Sequence, residues 1–375
     1  MRAGRGGLGV SDPLLAVAFL VCACVSLGSS WVLVVRLERV GARLGISEAL
    51  LGMLAALAAD APEITSSVTA LIGHHAQIGA GVVIGSNVFN LAALLGLAAV
   101  LAGRIALHRR VILMEGIVAL WIAGVCVLAV LAVVSPAIAL VLVLGVLAPY
   151  LLILGMPHQR LKVSRLPAAW VSWIIEAIHE EELELEPAIH PQRGGIRDAG
   201  LAAVAVLVVV AASVAMEQAA STFGSRHAVP EIVVGGLVLA AVTSLPNAVA
   251  AVYLARRGRG AATLSTAMNS NALNVAAGLL LPATIVGLSG GSGLTVLVAV
   301  WYFALTALAL TFAYVGRGLR REHGALIICA YLAFGGVLLA SAYSSPAGVV
   351  LSIAISAALA TVPAARMIRR ASNPR

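Results

Sequence analysis

The sequence predicts an all-α membrane protein of about 11 transmembrane helices. They form two inverted five-helix repeats plus one extra C-terminal helix, with the N-terminus outside and the C-terminus inside. Three observations predict this: an excess of apolar residues, a one-sided distribution of Lys and Arg, and a gapless internal match between the two halves.

Of 375 residues, 61% are hydrophobic and only 11% are Asp, Glu, Lys or Arg, against about 25% charged in ordinary soluble domains. A water-soluble fold cannot hide that much apolar surface, so the solvent is lipid. The net charge of +8 does not indicate nucleic acid, because the Arg residues sit in short clusters between apolar runs. Cys22, Cys24, Cys126 and Cys329 all lie inside apolar runs, with neither a disulfide framework nor a zinc spacing. No resident cofactor is expected. The first apolar run, 13–36, is too long for a signal peptide, and no small-x-small cleavage site follows it.

A transmembrane helix takes about 20 mainly apolar residues. That rule places spans at 13–36, 46–72, 77–102, 111–134, 136–157, 198–222, 230–255, 261–288, 293–315, 323–343 and 346–366. With the N-terminus outside, the inside segments hold Arg36, Arg39 and Arg43; Arg104, Arg109 and Arg110; Arg160, Lys162, Arg165, Arg193 and Arg197; Arg256, Arg257 and Arg259; Arg317, Arg320 and Arg321; and Arg366, Arg369, Arg370 and Arg375. Only Arg2, Arg5 and Arg226 remain outside, so 21 of the 24 basic residues share one side, the bias of cytoplasmic loops. The chain divides into a first membrane half (1–157), a cytoplasmic loop (158–197), a second membrane half (198–345) and an extra helix with a basic tail (346–375).

Sliding the chain by 184 residues lays Pro62 on Pro246, and Ser86, Asn87 and Asn90 on Ser270, Asn271 and Asn274; Gly52 falls on Gly236. Polar residues are rare at membrane depth, so this match carries weight that Ala on Ala does not. One copy starts inside and the other outside. Such inverted repeats place a site near the midplane, where the copies meet.

Asp60 and Glu63 stand one turn apart on one helix face and are the acids placed deep in the apolar zone. An acid at the bilayer centre costs roughly 2.5–3.5 kcal/mol on insertion scales. Repulsion and desolvation leave two stable states for the pair: a metal cation between them, or a proton on at least one. That competition is an exchange mechanism; the structural alternative is a buried pair bonded to a neighbouring helix. Pro62 and Pro246 lack an N–H and are expected to free the carbonyls of Ala58 and Val242 near mid-span, a simple packing kink being the alternative. Ser86, Asn87 and Asn90, with Ser270, Asn271 and Asn274, each occupy one helix arc. They are either interhelical glue or hard oxygen ligands.

The Pro-acid turn and Gly85-Ser86-Asn87-Val88-Phe89-Asn90 resemble the α-repeat of the calcium/cation antiporter superfamily, which includes the sodium/calcium exchangers. Thr243-Ser244-Leu245-Pro246 with Asn269-Ser270-Asn271-Ala272-Leu273-Asn274 resembles the second α-repeat. The motifs cover about 50–98 and 234–282. The resemblance implies alternating-access antiport of Ca²⁺ against Na⁺ or H⁺. By position it implies Glu63, Ser86, Asn90, Ser244, Asn247, Ser270 and Asn274 as ligands, with backbone carbonyls near Ala59 and Thr243; Asn87 and Asn271 support them. Two departures stand out. The family has an acid where this chain has Asn247, and Asp60 stands where sodium/calcium exchangers tend to have Ser. The acidic pair is thus relocated into one repeat, which leaves a monovalent Na⁺/H⁺ exchanger as an alternative.

Pro167 to Glu186 reads as an amphipathic helix with an acidic end, similar to the acidic helix between the halves of some proton/calcium exchangers; a solvated linker helix is the plainer reading. Asp12, Glu48 and Glu115 are expected at interfaces, and Glu217 as an interfacial acid or part of an access path. No HExxH, GxSxG or phosphate-binding glycine loop points to an enzyme, and no filter-like segment points to a channel. A non-transporting scaffold is disfavoured by the midplane acids. The expected surroundings are the lipid bilayer of the plasma membrane and transported inorganic cations.

Overall fold

A computed structural model describes residues 11–44, 56–154, 172, 175–176, 194–288 and 292–343. The first half contains α1 (Asp12–Leu44), α2 (Ala61–Ile72), α3 (Ala76–Ala102), α4 (Arg109–Val130) and α5 (Pro136–Leu154). The second contains α6 (Ile196–Arg226), α7 (Glu231–Thr243), α8 (Leu245–Arg256), α9 (260–286), α10 (Gly293–Gly316) and α11 (Arg321–Tyr343). Among the described residues, seven helices are long and apolar enough to cross a membrane, or eight if α7 and α8, bent by 47°, form one span. The start of the expected second span, the eleventh span, and nearly all of the expected loop helix lie outside the described residues.

The 184-residue spacing governs whole helices, not only motifs. Asp12 and Ile196, Ala61 and Leu245, Ala76 and Gly260, and Arg109 and Gly293 each open corresponding helices at that spacing. The inversion is visible in α1 and α6, which pack along one another antiparallel. Asp198 at the start of α6 takes Arg36 at 2.8 Å and Arg39 at 3.6 Å, from the end of α1. At the other end Asp12 takes Arg226 and His227, each at 3.0 Å. These acids sit at helix N-termini, where the backbone dipole favours negative charge.

Helices α3 and α9 form the centre, and the reason lies in their side chains. Gly79, Gly81, Gly85, Ser86, Asn87 and Asn90 leave α3 narrow and polar, suited to close helix contact and unsuited to lipid. By contrast α1, α5 and α6 carry exposed Leu, Val and Ile along much of their length, the face a lipid solvent selects. Both central helices contain a π-helical stretch beside a site asparagine, Leu91–Leu97 after Asn90 and Asn274–Leu280 starting at Asn274. Such bulges are frequent at functional sites.

A short antiparallel ladder, absent from the sequence expectation, joins β1 (Arg104–Ala106) to β2 (Gly318–Arg320), with Ile105 opposite Leu319. Gly318 has φ +120°, and a Cβ there would lie 2.1 Å from the Ile105 carbonyl oxygen, so only glycine fits. Three residues between long helices are too few to register as a strand pattern. The ladder ties together two arginine-rich loops that the span count puts on the same side.

Candidate cation site

In both repeats the helix stops and restarts at the proline turn. Asp60 (φ −80°, ψ −4°) precedes α2, and Ser244 (φ −84°, ψ 0°) precedes α8. Both occupy the sparsely populated bridge region, where many active-site residues sit. Pro62 and Pro246 therefore stand in the first turn of a helix, where a missing N–H costs nothing. They do not kink a continuous span, and one expected consequence changes. The carbonyl of Ala58 is not free for an ion, because Ser30 on α1 donates to it at 2.9 Å and reaches the Ala59 carbonyl at 3.4 Å.

The proline turns meet α3 and α9 in one buried cluster. Asp60, Glu63, Ser86, Asn90, Thr243, Ser244, Ser270 and Asn274 are 0% exposed and Asn247 is 1% exposed. Asp60 Oδ1 accepts from Asn247 Nδ2 at 2.6 Å and from Ser270 Oγ at 2.7 Å. Glu63 Oε1 accepts from Ser244 Oγ at 3.0 Å. The 184-residue spacing makes these two bonds images of one another: 60 meets 247, and 244 meets 63. Each carboxylate of the first repeat is thus held by a neutral donor of the second. The Thr243 hydroxyl donates to the Leu239 carbonyl at 2.9 Å, within its own helix.

Asn87 and Asn271 clamp the central helices. Asn87 Nδ2 donates to the Asn271 carbonyl at 3.1 Å, and Asn271 Nδ2 returns a bond to the Asn87 carbonyl at 3.2 Å. Around this clamp Asn90 Nδ2 donates to Asn271 Oδ1 at 3.0 Å, and Asn274 Nδ2 to Asn87 Oδ1 at 3.3 Å. Asn87 and Asn271 thus bond the two helices to each other, and Asn90 Nδ2 also reaches Ser270 Oγ, a donor to Asp60, at 3.2 Å. In a double-mutant cycle, Asn87→Ala and Asn271→Ala are expected to couple by about 0.5–3 kcal/mol in detergent unfolding, because one loss strands the other amide. Additive losses would show that the clamp is not a unit.

Among the described residues nine buried side-chain N or O atoms lack a hydrogen-bond partner, and six belong to this region: Asp60 Oδ2, Glu63 Oε2, Ser66 Oγ, Ser86 Oγ, Asn90 Oδ1 and Asn274 Oδ1. Buried polar atoms are otherwise paired in more than about 90% of cases. All six are oxygens, and neither carboxylate has an ion-pair partner among the described residues. Carboxylate, amide and hydroxyl oxygens are hard donors, of the kind that suits a hard cation and not a thiophilic metal.

Sequence reasoning missed several residues. Ser66 continues the helix face of Asp60 and Glu63 at three-residue spacing, a readable signal. Ser67 Oγ lies 2.8 Å and 2.9 Å from the carbonyls of Gly79 and Gly278 and ties α2 to both central helices. Two acids expected near the membrane interfaces, Glu217 with an access path as its alternative, are covered by protein. Glu217 is 3% exposed, and Glu115 is 1% exposed with its carboxylate bonded to Tyr150. Hydropathy reports depth along a helix and not which neighbour covers it, so neither was predicted.

An inverted repeat with broken helices and an anionic, oxygen-lined cluster where the halves meet defines a secondary transport protein of the membrane. Comparison narrows the class. Residues 14–157 and 198–340 match the family described as sodium/calcium exchanger protein, and the chain belongs to that family. Its fold is similar to that of three solved structures. The H⁺/Ca²⁺ exchanger CAX has a TM-score of 0.66 at 13% identity, covering 95% of this chain and 88% of that one. YfkE has a TM-score of 0.60 at 14% identity, covering 87% and 92%. The sodium-calcium exchanger NCX_Mj, soaked with Na⁺ and Sr²⁺, has a TM-score of 0.55 at 18% identity, covering 89% and 100%. No curated protein matches the chain.

Proposed function

We propose that this protein is a secondary active antiporter of the plasma membrane. It exchanges Ca²⁺, or another cation, for Na⁺ or H⁺ by alternating access at the Asp60–Glu63 cluster. Its eleven spans run with the N-terminus outside and the arginine-rich loops inside. The observation that carries the reading is the set of six buried oxygens without a partner among the described residues, two of them on carboxylates that lack a counter-charge there.

That arrangement couples the ions. An empty, fully ionised site would carry two uncompensated negative charges through a low-dielectric region, which costs several kcal/mol per ion even after relaxation. Reorientation therefore needs a cation or protons aboard, and one species must leave before the other binds. Ser86, Asn90, Asn247, Ser270 and Asn274 complete the site as ligands or as donors that hold the carboxylates. The exchangers with similar folds are named for H⁺, Ca²⁺ and Na⁺, which supports this choice of ions.

A second reading, Na⁺/H⁺ exchange, is favoured by Asn247, an amide that donates to Asp60 at 2.6 Å where the resemblance leads one to expect an acid. Flux into proteoliposomes under Ca²⁺, Na⁺ and H⁺ gradients, imposed singly and in pairs, separates the two. Ca²⁺ uptake driven by an opposing Na⁺ or H⁺ gradient is the expected result, and coupling of Na⁺ to H⁺ alone would select the second. Asn247→Glu is expected to increase divalent coupling by adding a third carboxylate beside Asp60. Unchanged selectivity in that variant would count against relocation of the acidic pair.

A further inference from the structure

Glu115 is a buried acid that the central site does not use. It lies in the second turn of α4, and its Oε1 accepts from the Tyr150 hydroxyl on α5 at 2.8 Å. Ser265 on α9 also hydrogen-bonds its carboxyl group. Ser265 Oγ in turn accepts from Asn269 Nδ2 at 2.9 Å, and Asn269 directly precedes Ser270 of the cation cluster. A continuous set of polar contacts thus runs from Tyr150 through Glu115 and Ser265 to the helix that carries Ser270 and Asn274.

The charge balance around Glu115 is one-sided. Helix α4 packs against α5, α9 and α10. The titratable or charged groups on these elements are Arg109, Arg110 and Cys126 on α4, Tyr150 on α5, and Tyr302 and Tyr314 on α10; α9 has none. Arg109 stacks over the Tyr314 ring at 4.9 Å, and Arg110 pairs with Glu176. Arg259, which caps the start of α9, forms no ion pair with Glu115, and no other cation does so among the described residues. An ionised carboxylate buried without a counter-charge is too costly to persist, and it resolves the cost by holding a proton.

We propose that Glu115 is a proton-binding site distinct from the central pair, taking up and releasing a proton during the exchange cycle. This rests on the antiporter reading above. With the proton bound, Glu115 donates to Ser265 and accepts from Tyr150. With the proton gone, both hydroxyls donate to the carboxylate, so the Ser265 hydroxyl rotates on the helix that carries the ligands. Ser265 precedes Ser270 by five residues, about 7.5 Å along α9 at 1.5 Å per residue. Both α4 and α9 begin beside the β1–β2 ladder, so proton access is from the arginine-rich side.

The test uses the full chain in lipid, as wild type, Glu115→Gln and Glu115→Asp. Infrared spectra recorded across pH read a protonated carboxyl directly, and one such band is expected to vanish in Glu115→Gln and to return, shifted, in Glu115→Asp. In proteoliposomes given Ca²⁺ or Na⁺, an opposing gradient of one pH unit can raise the cation's accumulation ratio by up to about tenfold for one coupled proton, and uptake accelerates with it. Glu115→Gln is expected to lose that acceleration while keeping equilibrium binding of the cation; Glu115→Asp regains it. Acceleration equal to wild type in Glu115→Gln, or an unchanged infrared band, overturns the proposal. Should Glu115→Gln not fold, wild type, Glu115→Asp and Tyr150→Phe keep it falsifiable, because the band must shift in both variants. If wild type shows no exchange at all, the antiporter reading fails first, and the infrared band still reports whether Glu115 holds a proton.

Discussion

Asp60→Asn combined with Glu63→Gln is expected to lower cation-coupled flux by at least about a hundredfold, equivalent to about 3 kcal/mol of lost ion stabilisation. The substitution is nearly isosteric and leaves the acceptors in place: Asn247 and Ser270 still have an oxygen to bond at position 60, and Ser244 at position 63. What disappears is the double negative charge. Without cations the variant is therefore expected to melt at a higher temperature than wild type, because a buried pair of like charges has been neutralised. With cations the order changes. Wild type gains stability by mass action, about 2.7 kcal/mol at a hundredfold excess over the dissociation constant, and the double variant gains none. Thermal scans with and without Ca²⁺, Na⁺ and acid measure both effects. Intact flux or intact cation-induced stabilisation in the variant would remove the central site from the mechanism.

The second large effect is expected at the crossing of α3 and α7. A Cβ on Gly85 would lie 2.4 Å from the Gly236 carbonyl oxygen and 2.6 Å from its Cα, and one on Gly235 would lie 2.3 Å from the Ile78 carbonyl oxygen. Both obstacles are backbone, so no side-chain rotation relieves them. Gly85→Ala and Gly235→Ala are expected to cost at least about 1–3 kcal/mol each, the usual range for overpacking. Flux should fall with them, since this contact holds Ser86 and Asn87 against the second repeat. Gly236→Ala is the control. Its Cβ would meet nothing nearer than 3.7 Å, an ordinary contact, and a shift within about 0.5 kcal/mol is expected. Equal melting temperatures for Gly235→Ala and Gly236→Ala would contradict the packing. Two adjacent glycines that look alike in sequence are here predicted to differ completely.

That contrast marks where sequence reading stops. Hydropathy located most ends of the described helices to within about four residues, because the lipid solvent penalises every exposed polar group and leaves a long, simple signal; α1 runs to Leu44, past its expected end at 36. The match of Pro62, Ser86, Asn87 and Asn90 to their images needed no gap, and the helix starts at Asp12 and Ile196 or Arg109 and Gly293 keep the same spacing. The cover over Glu115 is what sequence could not give. Six residues into its span, it looks interfacial by position, and only the packing of α5 and α9 over it makes it buried.

The sequence by itself determined the membrane class, the internal repeat and the residue types gathered in the cluster. Each is a property of depth or spacing along one chain, and in lipid a misplaced Asp, Asn or Ser is too costly to be accidental. Only the tertiary structure decided which donor serves which acceptor. It gave the Ala58 carbonyl to Ser30, set Asn247 and Ser270 on one oxygen of Asp60, and left six oxygens with no partner among the described residues. Those assignments depend on where helices far apart in sequence cross and how each is rotated about its axis. Depth along a helix carries no information about either.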